Sequence, residues 1–289
     1  MTETFAVDWL ALREPHDHVA RRGVADGLLA RLAAGGSCRV VDLGAGSGSN
    51  LRFLHTRLGV GQTWRLIDAD ATLVQAVAAP PGAAVTALVA DLAAIGADHL
   101  ADADLVTATA FLDLVSADWL ARFVGFLTGP AGGPAVLIAL TYDGRIEWTP
   151  ADPDDAFVRD AVNRHQRTDK GFGAALGPDA AAALAAALAG VGYRVETADT
   201  PWRLGGDDAA IQRALLDGYV GAAVKLEPGQ TDRIAAWADR RRALIGDGLS
   251  RLLVGHTDVF ADPLGAPFAA GGPRGQIPKP AAMPAGSRQ

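Results

Sequence analysis

The segment Val41-Asp42-Leu43-Gly44-Ala45-Gly46-Ser47-Gly48-Ser49-Asn50 constrains this chain more than any other stretch. It begins in a short apolar run, Val40-Val41-Asp42-Leu43, and leads into residues 49–58, where Leu51, Leu54, His55 and Leu58 recur at helical spacing. Glycine at every second position lets the backbone turn with positive φ and lets a ligand approach closely. A glycine turn between a strand and a helix is the context in which such a motif rises above chance.

The same alternation continues downstream. Residues 64–67 read as a second strand, with Leu73 and Val77 marking a helix after it. Residues 84–90 read as a third strand ending at Asp91, and residues 105–110 as a fourth. Ser116 is placed to cap a helix whose stripe is Trp119, Leu120, Phe123, Val124 and Leu127, and Gly129-Pro130 would stop it. Residues 135–140 are continuously apolar, as in a strand covered on both faces. Strand–helix alternation predicts an α/β fold with a parallel, doubly wound sheet, because parallel neighbours need a crossover.

Composition narrows the class. At 289 residues, 49% hydrophobic and 20% charged, the chain can bury a sizeable core, and one large domain over residues 1–262 is expected. With 26 basic against 33 acidic residues the net charge is −7, which disfavours nucleic acid as a partner. The single cysteine, Cys38, allows neither an internal disulfide nor a thiolate zinc cluster. No apolar run approaches the ~20 residues of a membrane span. The opening residues lack a basic region followed by an apolar one, so a cytoplasmic protein without a membrane partner is expected.

The second half departs from the strand–helix rhythm. Residues 143–177 read as a polar insertion with a short helix near 155–165 and the glycine-flanked Gly171-Phe172-Gly173. Pro178-Asp179 opens an alanine-rich helix ended by Gly190, and residues 193–197 form a strand. Residues 206–248 carry two helical patterns, with Thr231 as a cap of the second and Arg240-Arg241-Arg242 read as a solvated face. Residues 252–260 close the fold, and residues 263–289, rich in Pro, Gly and Ala, read as a disordered tail.

The glycine turn reads D-x-G-x-G-x-G. Counting from Gly44, the sixth position is Ser49, so the dinucleotide fingerprint G-x-G-x-x-G is not met. No Lys-Ser or Lys-Thr pair of a P-loop follows the glycines. A carboxylate two residues before the first glycine repels a diphosphate but suits a cationic amine. The motif resembles the first signature of the class I S-adenosylmethionine (SAM)-dependent methyltransferases, over about residues 38–142.

The resemblance implies a Rossmann-like, mostly parallel seven-stranded sheet, with residues 1–36 as an N-terminal helical cap and 37–142 as the SAM-binding core. It also implies a cofactor set. Asp42, Gly44, Ala45, Gly46 and Gly48 form the turn. Asp68 and Ala69 stand at the ribose, Asp91 and Leu92 at the adenine, and Thr107 on the fourth strand. Arg13 would reach the methionyl carboxylate. Alternatives stay open: a strand-end Asp such as Asp91 serves equally as a cap, and Arg13 could simply pair with Glu14 or Asp17.

Several acceptor classes are disfavoured. Family members acting on amines of bases or glutamine resemble one another in an Asn/Asp-Pro-Pro-aromatic tetrad after the fourth strand. Here that place reads Thr107-Ala108-Thr109-Ala110-Phe111, and the Pro80-Pro81 pair lies elsewhere. Cys38 precedes the first strand and reads as a structural thiol. The metal-dependent type carries an Asp-Asn pair that does not follow Asp113 or Asp143, so no metal is expected.

What remains is a metal-independent enzyme methylating an O or N atom of a small molecule, as a monomer or homodimer. The insertion would lie over the strand ends as a lid. His165 is the candidate base, its ordinary pKa of about 6.5 suiting proton transfer, against an exposed histidine at a helix end. Asp113 is a second candidate, against a capping role, and Tyr142 could hydrogen-bond the substrate. A NAD(P)-dependent oxidoreductase of Rossmann type and a catalytically silent SAM-binding partner protein are the alternatives.

Overall fold

The computed structural model describes residues 7–59, 61–128 and 133–263. Helices α1 (Val7–Ala20) and α2 (Asp26–Ala34) precede the alternating core. That core runs β1 (Cys38–Leu43), α3 (Ser49–His55), β2 (Gln62–Asp68), α4 (Ala71–Gln75) and β3 (Ala83–Val89). It continues through α5 (Ala97–Leu100), β4 (Leu105–Thr109), α6 (Ala117–Leu127) and β5 (Ala135–Thr149). The later part comprises α7 (Asp155–Gln166), α8 (Ala180–Gly190), β6 (Tyr193–Asp199) and β7 (Trp202–Leu204). Helices α9 (Ala209–Leu226) and α10 (Thr231–Gly246) and strand β8 (Arg251–Pro263) complete it.

The sheet order is β3-β2-β1-β4-β5-β8-β6, with β7 paired to β8 off this path. Strands β1 to β5 are mutually parallel, and β8 runs antiparallel between β5 and β6. The sheet is therefore doubly wound and mostly parallel, as the sequence predicts. The three-residue β7 is an eighth strand too short to show a period of its own.

Both faces of the sheet are covered. Val136 and Ile138 on β5 pack with Trp119 and Phe123 of α6 and Leu184 and Leu188 of α8. Their neighbours Ala135 and Leu137 point the other way, into a core with Leu29 of α2 and Leu51 and Leu54 of α3. Alternate residues thus enter opposite layers, which is why the run 135–140 is apolar throughout. Ser116 caps α6 by accepting the Trp119 amide at 3.2 Å, while Gly129 and Pro130 lie outside the described residues.

The late segments correct two expectations. Residues 143–149 do not open an insertion: β5 continues to Thr149, paired with Arg251 of β8. Its distal half buries Ile146 and Trp148 alternately, a period-two signal that Gly144 (φ 92°) interrupts in the sequence. This extended arm carries β7 and a third core of Trp148, Trp202, Trp237 and Ile234, built with α7, α9 and α10.

Arg241 is not a solvated residue of an arginine run. It is fully buried, paired with Asp155, and it donates to the Pro150 carbonyl at 2.7 Å. Thr231 does not cap α10 either. It is the first helical residue, its hydroxyl donating to the Pro228 carbonyl at 2.9 Å. Residues 264–289, the expected tail beyond Pro263, lie outside the described residues. Among the described residues no helix is long and apolar enough to cross a membrane.

Candidate active site

The glycine turn follows β1 with Gly44, Gly46 and Gly48 at φ 67°, 51° and 80°. At Gly48 a Cβ would stand 2.6 Å from Val77 Cγ1, so side chain and backbone both exclude a larger residue. The turn is fastened to β2 from two sides. The Ile67 carbonyl accepts the amides of Gly44 (2.9 Å) and Ala45 (3.2 Å). Asp68 accepts the Gly46 amide at 2.7 Å on one oxygen and the Asp70 amide at 2.9 Å on the other. One carboxylate therefore joins the turns after β1 and β2, and each of its oxygens keeps a lone pair for a ligand.

A cavity of about 440 Å³ opens over this turn at the carboxyl ends of the strands, where α/β sheets bind ligands. Of the expected residues, Arg13, Gly44, Gly46, Asp68, Ala69 and Leu92 line it. Arg13 does two things at once: it faces the cavity, and its Nε donates to Asp17 at 2.9 Å. Leu92 is held from behind, its carbonyl accepting Trp119 Nε1 at 2.7 Å.

Asp42, Ala45, Gly48 and Thr107 are not in the cavity wall but beneath or beside it. Asp42 is buried, one oxygen accepting Asn50 Nδ2 at 2.9 Å and the other, Oδ2, having no partner. Burial pushes its pKa up to about 7, against the opposing pull of Asn50 and Arg21. The same Asn50 amide donates to Thr107 Oγ1 at 3.1 Å, and Thr107 donates to the Leu137 carbonyl at 2.7 Å. Asn50 Oδ1 in turn accepts from Arg21 at 2.9 Å. Arg21 is buried over the Phe53 ring and stands 3.7 Å from Asp258. Burial lowers its pKa, with Asp258 the chief counterweight. Asn50 stood at the end of the glycine motif without being given a role, and nothing local in the sequence marked Arg21.

Asp91 stands elsewhere than expected. It is exposed, outside the cavity wall, and its carboxylate accepts the Ala93 amide at 2.9 Å, capping the short turn Leu92–Ala94.

None of the three catalytic candidates is in the cavity wall. Asp113 is buried in the turn Leu112–Leu114, beside the cavity-lining Leu114, and Ser116 rather than Asp113 caps α6. Burial raises the Asp113 pKa to about 6, opposed by its own backbone amide and by Arg13 and Lys170. Tyr142 is buried outside the cavity wall, its hydroxyl donating to Asn163 Oδ1 at 2.6 Å. Burial raises its pKa. His165, in the last turn of α7, has Nδ1 at 3.3 Å from Lys170 Nζ and does not line the cavity.

From the polar insertion the residue that does line it is Phe172. Asp169 shapes its loop by accepting the amides of Gly171 (2.7 Å) and Gly173 (3.0 Å), both flanking glycines having positive φ. The Phe172 ring meets Phe111 (5.5 Å) and Trp119 (6.2 Å) edge-on. Cys38 is buried, and burial pushes its thiol up to about 12, consistent with a structural thiol. Among the described residues no group of three or more His, Cys, Asp or Glu is placed to hold a metal ion.

No family model matches the sequence, and no curated protein matches it. Solved structures do match the fold. A cyclopropane-fatty-acyl-phospholipid synthase-like protein from Lactobacillus casei ATCC 334 is similar at 14% identity and TM-score 0.52, covering 91% of this chain and 95% of that one. A SAM-dependent methyltransferase from Thiobacillus denitrificans, solved with S-adenosyl-L-homocysteine, matches at 17% identity and TM-score 0.38, with 90% and 98% covered. The cyclopropane synthase MmaA2 from Mycobacterium tuberculosis matches at 13% and 0.43, with 89% and 95% covered. The chain shares the fold of the Lactobacillus casei protein.

Proposed function

We propose that this chain is a SAM-dependent methyltransferase that transfers a methyl group to an O or N atom of a small molecule without a catalytic metal. The observation that carries the reading is the union of three features at one strand edge. A D-x-G-x-G-x-G turn with three positive-φ glycines, an Asp68 carboxylate bound to that turn, and a 440 Å³ cavity occupy the same place in a methyltransferase fold.

The residues present fit the cofactor. Asp68 and Asp70 border the cavity where two ribose hydroxyls need acceptors, and Leu92, Phe111 and Phe172 supply apolar walls for a base. Beneath the turn, Asp42 keeps a buried oxygen with no partner, a complement to a ligand's ammonium group. When bound, the cofactor supplies an electrophilic methyl on a sulfonium. The chain's part is to hold the acceptor in line, which can account for most of the rate gain, and to receive its proton. The NAD(P) alternative shares an acid at the end of β2, but Asp42 and Ser49 stand against a pyrophosphate.

Incubation with methyl-labelled SAM and pools of small hydroxyl and amine compounds tests the proposal. Label is expected in a low-molecular-weight product. Label found only in protein or nucleic acid, or nowhere while the protein binds S-adenosylhomocysteine, contradicts it.

A further inference from the structure

We propose that Arg21 is a positioning residue of the cofactor site. From behind the cavity it fixes the Asn50 amide against Asp42 and leaves the Thr109 hydroxyl a hydrogen to donate, which readies the site for the cofactor's zwitterionic amino-acid end. This rests on the methyltransferase reading and names what supports one end of that site's ligand.

Arg21 follows directly on α1, whose Leu10 and Arg13 line the cavity. Its amide donates to the Asp17 carbonyl at 3.2 Å and its carbonyl accepts the Val24 amide at 3.1 Å, so both ends of the residue are held in a turn. The side chain is buried, with Cζ 4.5 Å from the centroid of the Phe53 ring on α3. One nitrogen, Nη1, reaches two groups: Asn50 Oδ1 at 2.9 Å and Thr109 Oγ1 at 3.4 Å. Thr109 lines the cavity.

Counting donors turns these contacts into an orientation. A guanidinium only donates, so Asn50 must present its oxygen to Arg21 and its NH2 to the other side. There it meets Asp42 Oδ1 at 2.9 Å and Thr107 Oγ1 at 3.1 Å. Thr107 gives its one hydrogen to the Leu137 carbonyl and can only accept from Asn50. The reversed amide would set NH2 against the guanidinium and oxygen against a carboxylate. Arg21 thereby secures one oxygen of Asp42 through Asn50, while the other, Oδ2, stays a buried acceptor with no partner. Thr109, accepting from Arg21, keeps its own hydrogen for a molecule in the cavity.

Packing alone does not account for an arginine here. A buried guanidinium is destabilising unless its ion pair and hydrogen bonds are well formed. The Nε atom of Arg21 is 3.7 Å from Asp258 Oδ2, and neither atom has a hydrogen-bond partner. The short bond goes to Asn50 instead. An apolar side chain would fill the space without that cost, so what the arginine adds is its hold on Asn50 and Thr109.

The two groups so prepared match a zwitterion. Asp42 pairs with Thr107 across β1 and β4, which sets the carboxylate and Thr109 on neighbouring strands. A buried carboxylate attracts an ammonium over several ångströms, because little water screens it. A hydroxyl hydrogen suits the carboxylate of the same ligand.

Calorimetry on the full chain with S-adenosylhomocysteine, and with 5′-methylthioadenosine, which lacks the amino-acid end, tests this role. Arg21→Met is expected to weaken S-adenosylhomocysteine at least tenfold and 5′-methylthioadenosine less than twofold. General loosening of the fold would weaken both. Arg21→Lys, which keeps the charge and a donor, is expected to return S-adenosylhomocysteine to within threefold of the wild type. Where Arg21→Met does not fold, Asn50→Leu, which removes the group that Arg21 holds, takes its place with the same contrast expected. Equal weakening of the two ligands, unaltered S-adenosylhomocysteine affinity, or an Arg21→Lys variant no better than Arg21→Met overturns the proposal and leaves the cofactor reading standing. Failure of the wild type to bind S-adenosylhomocysteine overturns both.

Discussion

Asp68 does two jobs at atomic scale: its oxygens anchor the amides of Gly46 and Asp70, and they border the cavity. Asp68→Ala is therefore expected to weaken S-adenosylhomocysteine binding by more than tenfold, about 1.4 kcal/mol, in a calorimetric titration. Asp42 offers a test through pH. Its folded pKa, about 7, lies above that of an unfolded aspartate, so the native state binds more protons between pH 4 and 7. That part of the stability is lost as pH rises through this window. Asp42→Asn should thus gain stability over the wild type from pH 4 to 7, with a constant gap above, read from melting curves. That Gly44, Gly46 and Asp68 meet at one cavity was legible because motif order and strand ends coincide, whereas Asp42 and Gly48 lie outside its wall. Asp91 was misplaced because a strand-end aspartate reads the same whether it meets a ligand or caps a turn. Arg21 was invisible because its partners Asn50, Thr109 and Asp258 lie far away in the chain.

Among elements, the clearest contrast is between α6 and β5. A capping serine and five apolar residues at helical spacing made α6 readable from end to end of its described span. Ser116→Ala should cost about 1 kcal/mol in urea unfolding, the ordinary value of such a cap. Strand β5 was readable only to Leu140, where two covered faces make an unbroken apolar run. Beyond it, Gly144 and charged residues mask an alternation that only the pairing with β8 explains. The glycine-flanked loop was legible as an element over the site, though through Phe172 rather than His165. Phe172→Ala is expected to speed S-adenosylhomocysteine dissociation several-fold in stopped flow with little change in melting temperature. An unchanged rate would remove the loop from cofactor retention.

Across the whole molecule, three apolar cores divide the labour. Two sandwich the parallel sheet and hold the cavity edge, and the third builds α7, α9 and α10 onto the β5–β8 arm. The buried Arg241–Asp155 pair locks α10 to α7. Arg241→Ala would strand Asp155 without its partner, and a loss of about 3–5 kcal/mol is expected in urea titration. This layer was foreseen as helices but not as a core, because its buried tryptophans Trp148, Trp202 and Trp237 come from three separate elements. The central claim is that the cavity over the glycine turn receives a sulfonium nucleoside and no dinucleotide. Titration of the purified protein with S-adenosylhomocysteine and, separately, with NAD tests it most directly. One-to-one binding of the first and none of the second is predicted; tight NAD binding with no uptake of S-adenosylhomocysteine would contradict it.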